Sequence, residues 1–239
     1  MGAVRKPKQL ELPTPARWGG PRKGSGRKRV AARASVPHRA RAELDRRHPV
    51  HATLRVTAAV GDLRTKTKVR VIRNVMRQMH AAAEPGQRLP FQIIHFSVQT
   101  THVHLIAEAD DKSALARGLK AFEIRVAKRL NRIAERKGRV FSDRYHAHAL
   151  RTPRETRRAL AYVLLNGRHH ASARARTTSA VDPCSSGALF NGWSRPPEIG
   201  ASIDEDPRPP TRSARTWLLT TGWRASGELI SPDEVPGAH

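Results

Sequence analysis

Phe91-Gln92-Ile93-Ile94-His95-Phe96-Ser97-Val98-Gln99, then Thr100-Thr101, then His102-Val103-His104-Leu105-Ile106-Ala107-Glu108-Ala109 is the stretch on which the reading turns. It reads as two strands, and the Thr100-Thr101 break is short enough to close an antiparallel hairpin. Residues two apart on a strand project from one face. Val103, Leu105 and Ala107 are therefore expected to face a core, with His102, His104 and Glu108 sharing the opposite face. Two imidazoles side by side on a rigid strand form a ready bidentate metal site. With 12 histidines in the chain such pairs also arise by chance, and His146-Ala147-His148 is a second one.

Outward from the hairpin, Val50-His51-Ala52-Thr53-Leu54-Arg55-Val56 alternates apolar and polar residues as a half-buried strand does. Val69, Ile72, Val75, Met76 and Met79 fall at helical spacing, with Arg70, Arg73 and Arg77 off that stripe. After the hairpin, Leu115, Leu119, Phe122, Val126, Leu130 and Ile133 mark an amphipathic helix capped by Asp111, with Lys120, Lys128, Arg129 and Arg132 on its other face. A short strand follows over His146 to Arg151. Thr152-Pro153-Arg154-Glu155 then opens a last helix with a capping box and a proline at its first position. The order strand, helix, strand, strand, helix, strand, helix predicts an α+β, ferredoxin-like antiparallel sheet with helices on one face and one added C-terminal helix.

The chain has 239 residues and a formal net charge of +25, which makes a polyanion, nucleic acid first, the default partner. One cysteine, Cys184, excludes a disulfide framework and a zinc site of paired cysteines. No apolar run approaches the roughly 20 residues of a membrane span, and the N-terminal residues lack the apolar stretch of a secretory signal. A cytoplasmic, nucleoid-associated protein is expected. Residues 1–47 carry 14 Lys and Arg against three acids and are expected to be a disordered basic arm, in which Arg22, Lys23, Arg27, Lys28 and Arg29 would contact a phosphate backbone. Residues 48–170 form the expected folded domain. Residues 171–210, rich in Ser, Arg, Pro and Gly, read as a linker, and residues 211–239, with Trp217 and Trp223, as a small helical appendage that docks on something.

On the last helix Leu160, Val163 and Leu164 form the apolar stripe. Tyr162 lies roughly 200° from Leu160, and Asn166 is on its side one turn further along. A divalent ion held by His102, His104 and the amide oxygen of Asn166 would keep open positions for phosphate oxygens. A phenol beside it could attack phosphorus and become covalently linked, with Arg158 favouring the ionised phenol.

These residues resemble the single-tyrosine HUH transposases of insertion sequences, with the nearest likeness to the branch of REP-associated tyrosine transposases and their domesticated relatives. The histidine-hydrophobe-histidine motif of that family matches His102-Val103-His104, and its helix-borne tyrosine with an Asn or Gln four residues on matches Tyr162-Val163-Leu164-Leu165-Asn166. The resemblance covers about residues 48–170 and includes Gly138-Arg139-Val140-Phe141 and Arg144-Tyr145-His146. It implies a metal-dependent transposase that binds single-stranded, often hairpin, DNA and cuts it with Mg²⁺ or Mn²⁺. Tyr162 would become attached to the 5′ phosphate, leaving a 3′ hydroxyl. Many relatives carry proline after the asparagine, where this chain has Gly167. Family members work as homodimers or as monomers, so either state is open. The alternatives are a domesticated protein that holds a DNA or RNA hairpin without cutting it, and a basic RNA-binding protein that leaves the histidines and tyrosine unemployed. His146 and His148 are expected to be structural or DNA-facing. The general base is unassigned, with Glu108 merely nearby on the same strand face.

Overall fold

The computed structural model describes residues 42–81, 87–169, 180–200, 203, 206–227 and 229–236. The basic cluster Arg22, Lys23, Arg27, Lys28 and Arg29 lies outside them.

Strands β1 (Val50–Arg55), β2 (Phe91–Val98), β3 (His102–Ala109) and β4 (His146–Ala149) form one antiparallel sheet in the order β2-β3-β1-β4. Helices α1 (Lys66–His80) and α2 (Lys112–Ile133) cross one face, and α3 (Pro153–His169) packs on the other. This is the ferredoxin-like α+β arrangement with an added helix. The local signals act as expected. The Asp111 side chain accepts from the Ala114 N–H at 2.7 Å. Glu155 N–H donates to Thr152 Oγ1, and Thr152 N–H donates back to the Glu155 carboxylate, which satisfies amides that the first helical turn leaves without partners.

Alternation sorts the sheet into two cores. Val50, Ala52, Leu54, Val103, Leu105 and Ala107 pack under α1 and α2 with Leu119, Phe122 and Val126. Ile94, Ile106 and Leu150 pack under Leu160, Val163 and Leu164 of α3, all three at 1% exposure or less. Burying each such side chain contributes about 1.5–3 kcal/mol. The second face is therefore covered rather than left open, and β3, flanked by β1 and β2, is buried over nearly its whole length. Edge strand β4 stays half exposed.

The region whose composition reads as a linker is folded in, with Cys184 in the first core and Phe190 in the second. Val181, Cys184, Ser185, Ser186 and Phe190 are buried. Val98 N–H donates to Cys184 O and Ser186 N–H to Phe96 O, each at 2.9 Å, so residues 184–186 run along the outer edge of β2 and satisfy its backbone. Strands β5 (Ala180–Val181) and β6 (Glu198–Ile199) pair in parallel beside them. Asp182 binds Arg64 through two bonds of 2.8 and 2.9 Å. Further on, α4 (Trp217–Thr220) and a 3-10 turn over Gly222–Ser226 carry Trp223, 1% exposed, into the second core against Phe190. No helix among the described residues is long and apolar enough to cross a membrane.

Candidate active site

Register places the polar side chains of three strands together. Thr53 lies opposite His104 and Arg55 opposite His102 on one side of β1, while His51 and Thr53 face His148 and His146 on the other. Alternation then turns His51, His102, His104, His146 and His148 to the face that carries α3.

His104 is the centre of this group and is 3% exposed. Its Nδ1 lies 3.1 Å from Thr53 Oγ1 and 3.2 Å from His51 Nε2. The rings of His102 and His104 meet edge to face with centroids 4.6 Å apart. Tyr162 reaches down from α3, its ring centroid 5.1 Å from His104 at 83° and 5.8 Å from His51 at 62°. Burial, followed by the charges of His146 and His148, holds His51 down to about 4. A neutral His51 can accept from Nδ1–H of His104, and a metal on His104 would then be taken through Nε2, with Thr53 and His51 fixing ring and tautomer.

Asn166 is fully buried, and neither heteroatom of its amide has a hydrogen-bond partner in the described structure. An amide left in this state costs about 1–3 kcal/mol, and such groups call for a reason. Asn166 lies one turn beyond Tyr162 on the same side of α3, where its carbonyl would add an oxygen donor to the two imidazoles if a metal were bound. Two nitrogens and an amide oxygen suit Mn²⁺, and Mg²⁺ less closely. Among the described residues no group of three or more His, Cys, Asp or Glu could hold a metal. A cation here would rest on the donor set His102, His104 and Asn166, which fits it.

Tyr162 opens onto a cleft of about 800 Å³ lined by His51, His148, Arg154, Arg157 and Arg158. Arg154 and Arg158 stand four residues apart on the exposed side of α3, in line with Tyr162. Arg157 is bound by Glu234 through two bonds of 3.0 and 2.9 Å. The other tyrosine, Tyr145, is buried in the α1–α2 core, away from this face. His146 is exposed, and His148 Nε2 lies 3.8 Å from Glu155.

Glu108 belongs elsewhere. Its carboxylate, 2% exposed, accepts from Gln92 Nε2, from the backbone N–H groups of Arg215 and Thr216, and from Thr216 Oγ1. Fully engaged in holding the C-terminal segment, it is not placed to act as the base. Gly167 is also explained by packing: a Cβ there would lie 2.5 Å from Asp182 Oδ2. α3 runs on past it to His169, so the glycine does not end the helix.

Sequence reading missed His51 and Thr53 as parts of the site. Their positions on the polar side of an alternating strand were visible, but their neighbours depend on β1 lying next to β3.

No family model matches the chain, and no curated protein matches it. Among solved structures it is similar to a REP-associated tyrosine transposase bound to a REP hairpin, with a TM-score of 0.49 and 17% identity over 73% of this chain and 97% of that one. It is also similar to a Deinococcus radiodurans R1 protein that carries a transposase assignment, with a TM-score of 0.34 and 13% identity over 49% of this chain and 87% of the other.

Proposed function

We propose that the chain is a single-tyrosine transposase or nickase that cuts and rejoins single-stranded, hairpin-containing DNA through Tyr162. The observation that carries this reading is the meeting of the Tyr162 ring with His104, itself in edge-to-face contact with His102, one helical turn from an Asn166 amide that is buried without a hydrogen-bond partner among the described residues. A metal with no catalytic work would not require a phenol at its side, and a merely hairpin-binding protein would gain nothing from a buried orphan amide.

His102, His104 and Asn166 would hold Mg²⁺ or Mn²⁺, which when bound supplies Lewis-acid stabilisation of charge on the phosphodiester. Arg154 and Arg158 attract the strand's phosphates into the cleft. Oη of Tyr162 attacks phosphorus, the P–O3′ bond breaks, the phenolic proton leaves to solvent, and the departing oxygen is protonated to a 3′ hydroxyl. The 5′ phosphate remains on Tyr162, and attack by another 3′ hydroxyl reverses the step. The phosphodiester's energy is retained, so rejoining needs no nucleotide cofactor.

Incubation with Mn²⁺ and hairpin oligonucleotides from the DNA flanking its gene, followed by denaturing electrophoresis, is the test. A protein–DNA adduct is expected from the wild type and not from Tyr162→Phe. Hairpin binding with no adduct would establish the domesticated, non-cutting alternative, and an adduct lost only in Tyr145→Phe would overturn the assignment of the nucleophile.

A further inference from the structure

Trp217 is 59% exposed, although Leu218 and Leu219 after it are buried and Thr216 before it is bound to Glu108 through both its N–H and its hydroxyl. One side of the indole rests on Gly222, where a Cβ would lie 2.6 Å from ring atom Cζ3. The ring is thus a fixed plate held against bare backbone.

It borders a cleft of about 550 Å³ whose wall also carries Arg46, Arg47, Arg88, Arg151 and Arg215. The two acids in the wall are neutralised, Asp110 by Arg88 and Glu108 by the tail it binds. Arg47 is paired with Asp45. Arg46 and Arg151 are exposed, and among the described residues their guanidinium groups have no acidic partner. An aromatic plate beside uncommitted guanidinium groups is the chemistry that holds single-stranded nucleic acid, base on ring and phosphate on cation. The core of a protein interface is depleted of charged residues, whereas five arginines line this wall.

The cleft also adjoins the Tyr162 cleft. At the β4–α3 turn Leu150 and Arg154 line the latter, while Arg151 and Pro153 line the former. We propose that a base of the single-stranded segment flanking the cut position stacks on Trp217, with neighbouring phosphates on Arg46 and Arg151. This rests on the reading of the Tyr162 cleft as a DNA site and adds to it a subsite for unpaired nucleotides.

Fluorescence anisotropy separates the two ideas. The full chain, in a Tyr162→Phe background that prevents cutting, is titrated with labelled hairpins that are blunt, that carry a single-stranded extension on the 5′ or 3′ side, or that carry the same extension with abasic sites. Trp217→Ala is expected to weaken binding of one extended hairpin by roughly 5- to 150-fold, the worth of one stacked base, and to leave the blunt hairpin unchanged. Trp217→Phe restores most of the loss, and the abasic extension binds the parent as weakly as the normal extension binds Trp217→Ala. Equal binding of extended hairpins by parent and Trp217→Ala overturns the subsite. So does a change of oligomeric state in Trp217→Ala by light scattering, which would make the plate a protein contact. An absent adduct in the wild-type cutting assay would sink the Tyr162 chemistry without touching these binding results.

Discussion

Thr53 Oγ1 stands 3.1 Å from Nδ1 of His104, across the β1–β3 register that pairs the two residues. The hydroxyl fixes one nitrogen of the imidazole, so that in the proposed site the other would take the metal. Thr53→Val keeps the branched shape and removes the oxygen. Half-maximal adduct formation should then need roughly 10- to 100-fold more Mn²⁺, the usual worth of a group that orients a ligand. An unchanged Mn²⁺ titration would show that Thr53 does not orient His104.

Asn166→Leu should separate stability from activity. Replacing an unpartnered buried amide by an apolar side chain of similar volume removes its desolvation cost, about 1–3 kcal/mol. Without added metal, urea unfolding should therefore require more denaturant, while Mn²⁺ should raise the melting temperature of the wild type and not of the variant. A destabilised Asn166→Leu would mean that the amide has a structural partner after all.

Glu108→Ala should free the C-terminal segment. The change strips acceptors from two backbone N–H groups, Gln92 and the Thr216 hydroxyl, and breaking such a buried charged network costs about 3–5 kcal/mol. Trypsin should then cut after Arg212 and Arg215 well before the sheet is digested. Cleavage at the wild-type rate would argue that Trp223 alone anchors the segment.

His80 makes stability depend on pH. Burial, followed by the charge of Arg212, lowers it from 6.5 to about 4, and its Nε2 accepts the Ile93 N–H at 3.2 Å, which requires the neutral ring. The unfolded chain takes up this proton near pH 6.5 and the folded chain only near 4. The contribution is therefore whole above 6.5 and is lost as pH falls through 4, with a slope of at most about 1.4 kcal/mol per pH unit. Urea midpoints between pH 4 and 7.5 should show this slope reduced in His80→Gln, whose amide oxygen can still accept from Ile93.

The strands and helices from Val50 to His169 were legible because each carries its own periodicity, with caps marking α2 and α3, and the pairs His102–His104 and Tyr162–Asn166 could be placed on one face each because their spacing sits within single elements. His51 and Thr53 were not, since their place beside His104 follows from strand order rather than from local pattern. Arg215 and Thr216, which Glu108 holds, lie more than 100 residues away in sequence, beyond the reach of any local rule. Residues 180–199 misled for a different reason. Val181, Cys184 and Phe190 are buried singly among serine, proline and glycine, so backbone pairing with β2 does the work that an apolar run does elsewhere.

The missing Cβ of Gly167 has a reach beyond its own contact. Asp182 touches α3 there while gripped by Arg64, which keys the roll of the helix about its axis to the loop that leads into α1. Tyr162 stands five positions earlier, ~140° around the same cylinder, so any side chain at 167 would act as a cam. The phenol would swing away from His51 and His104 while every side chain beside it kept its identity.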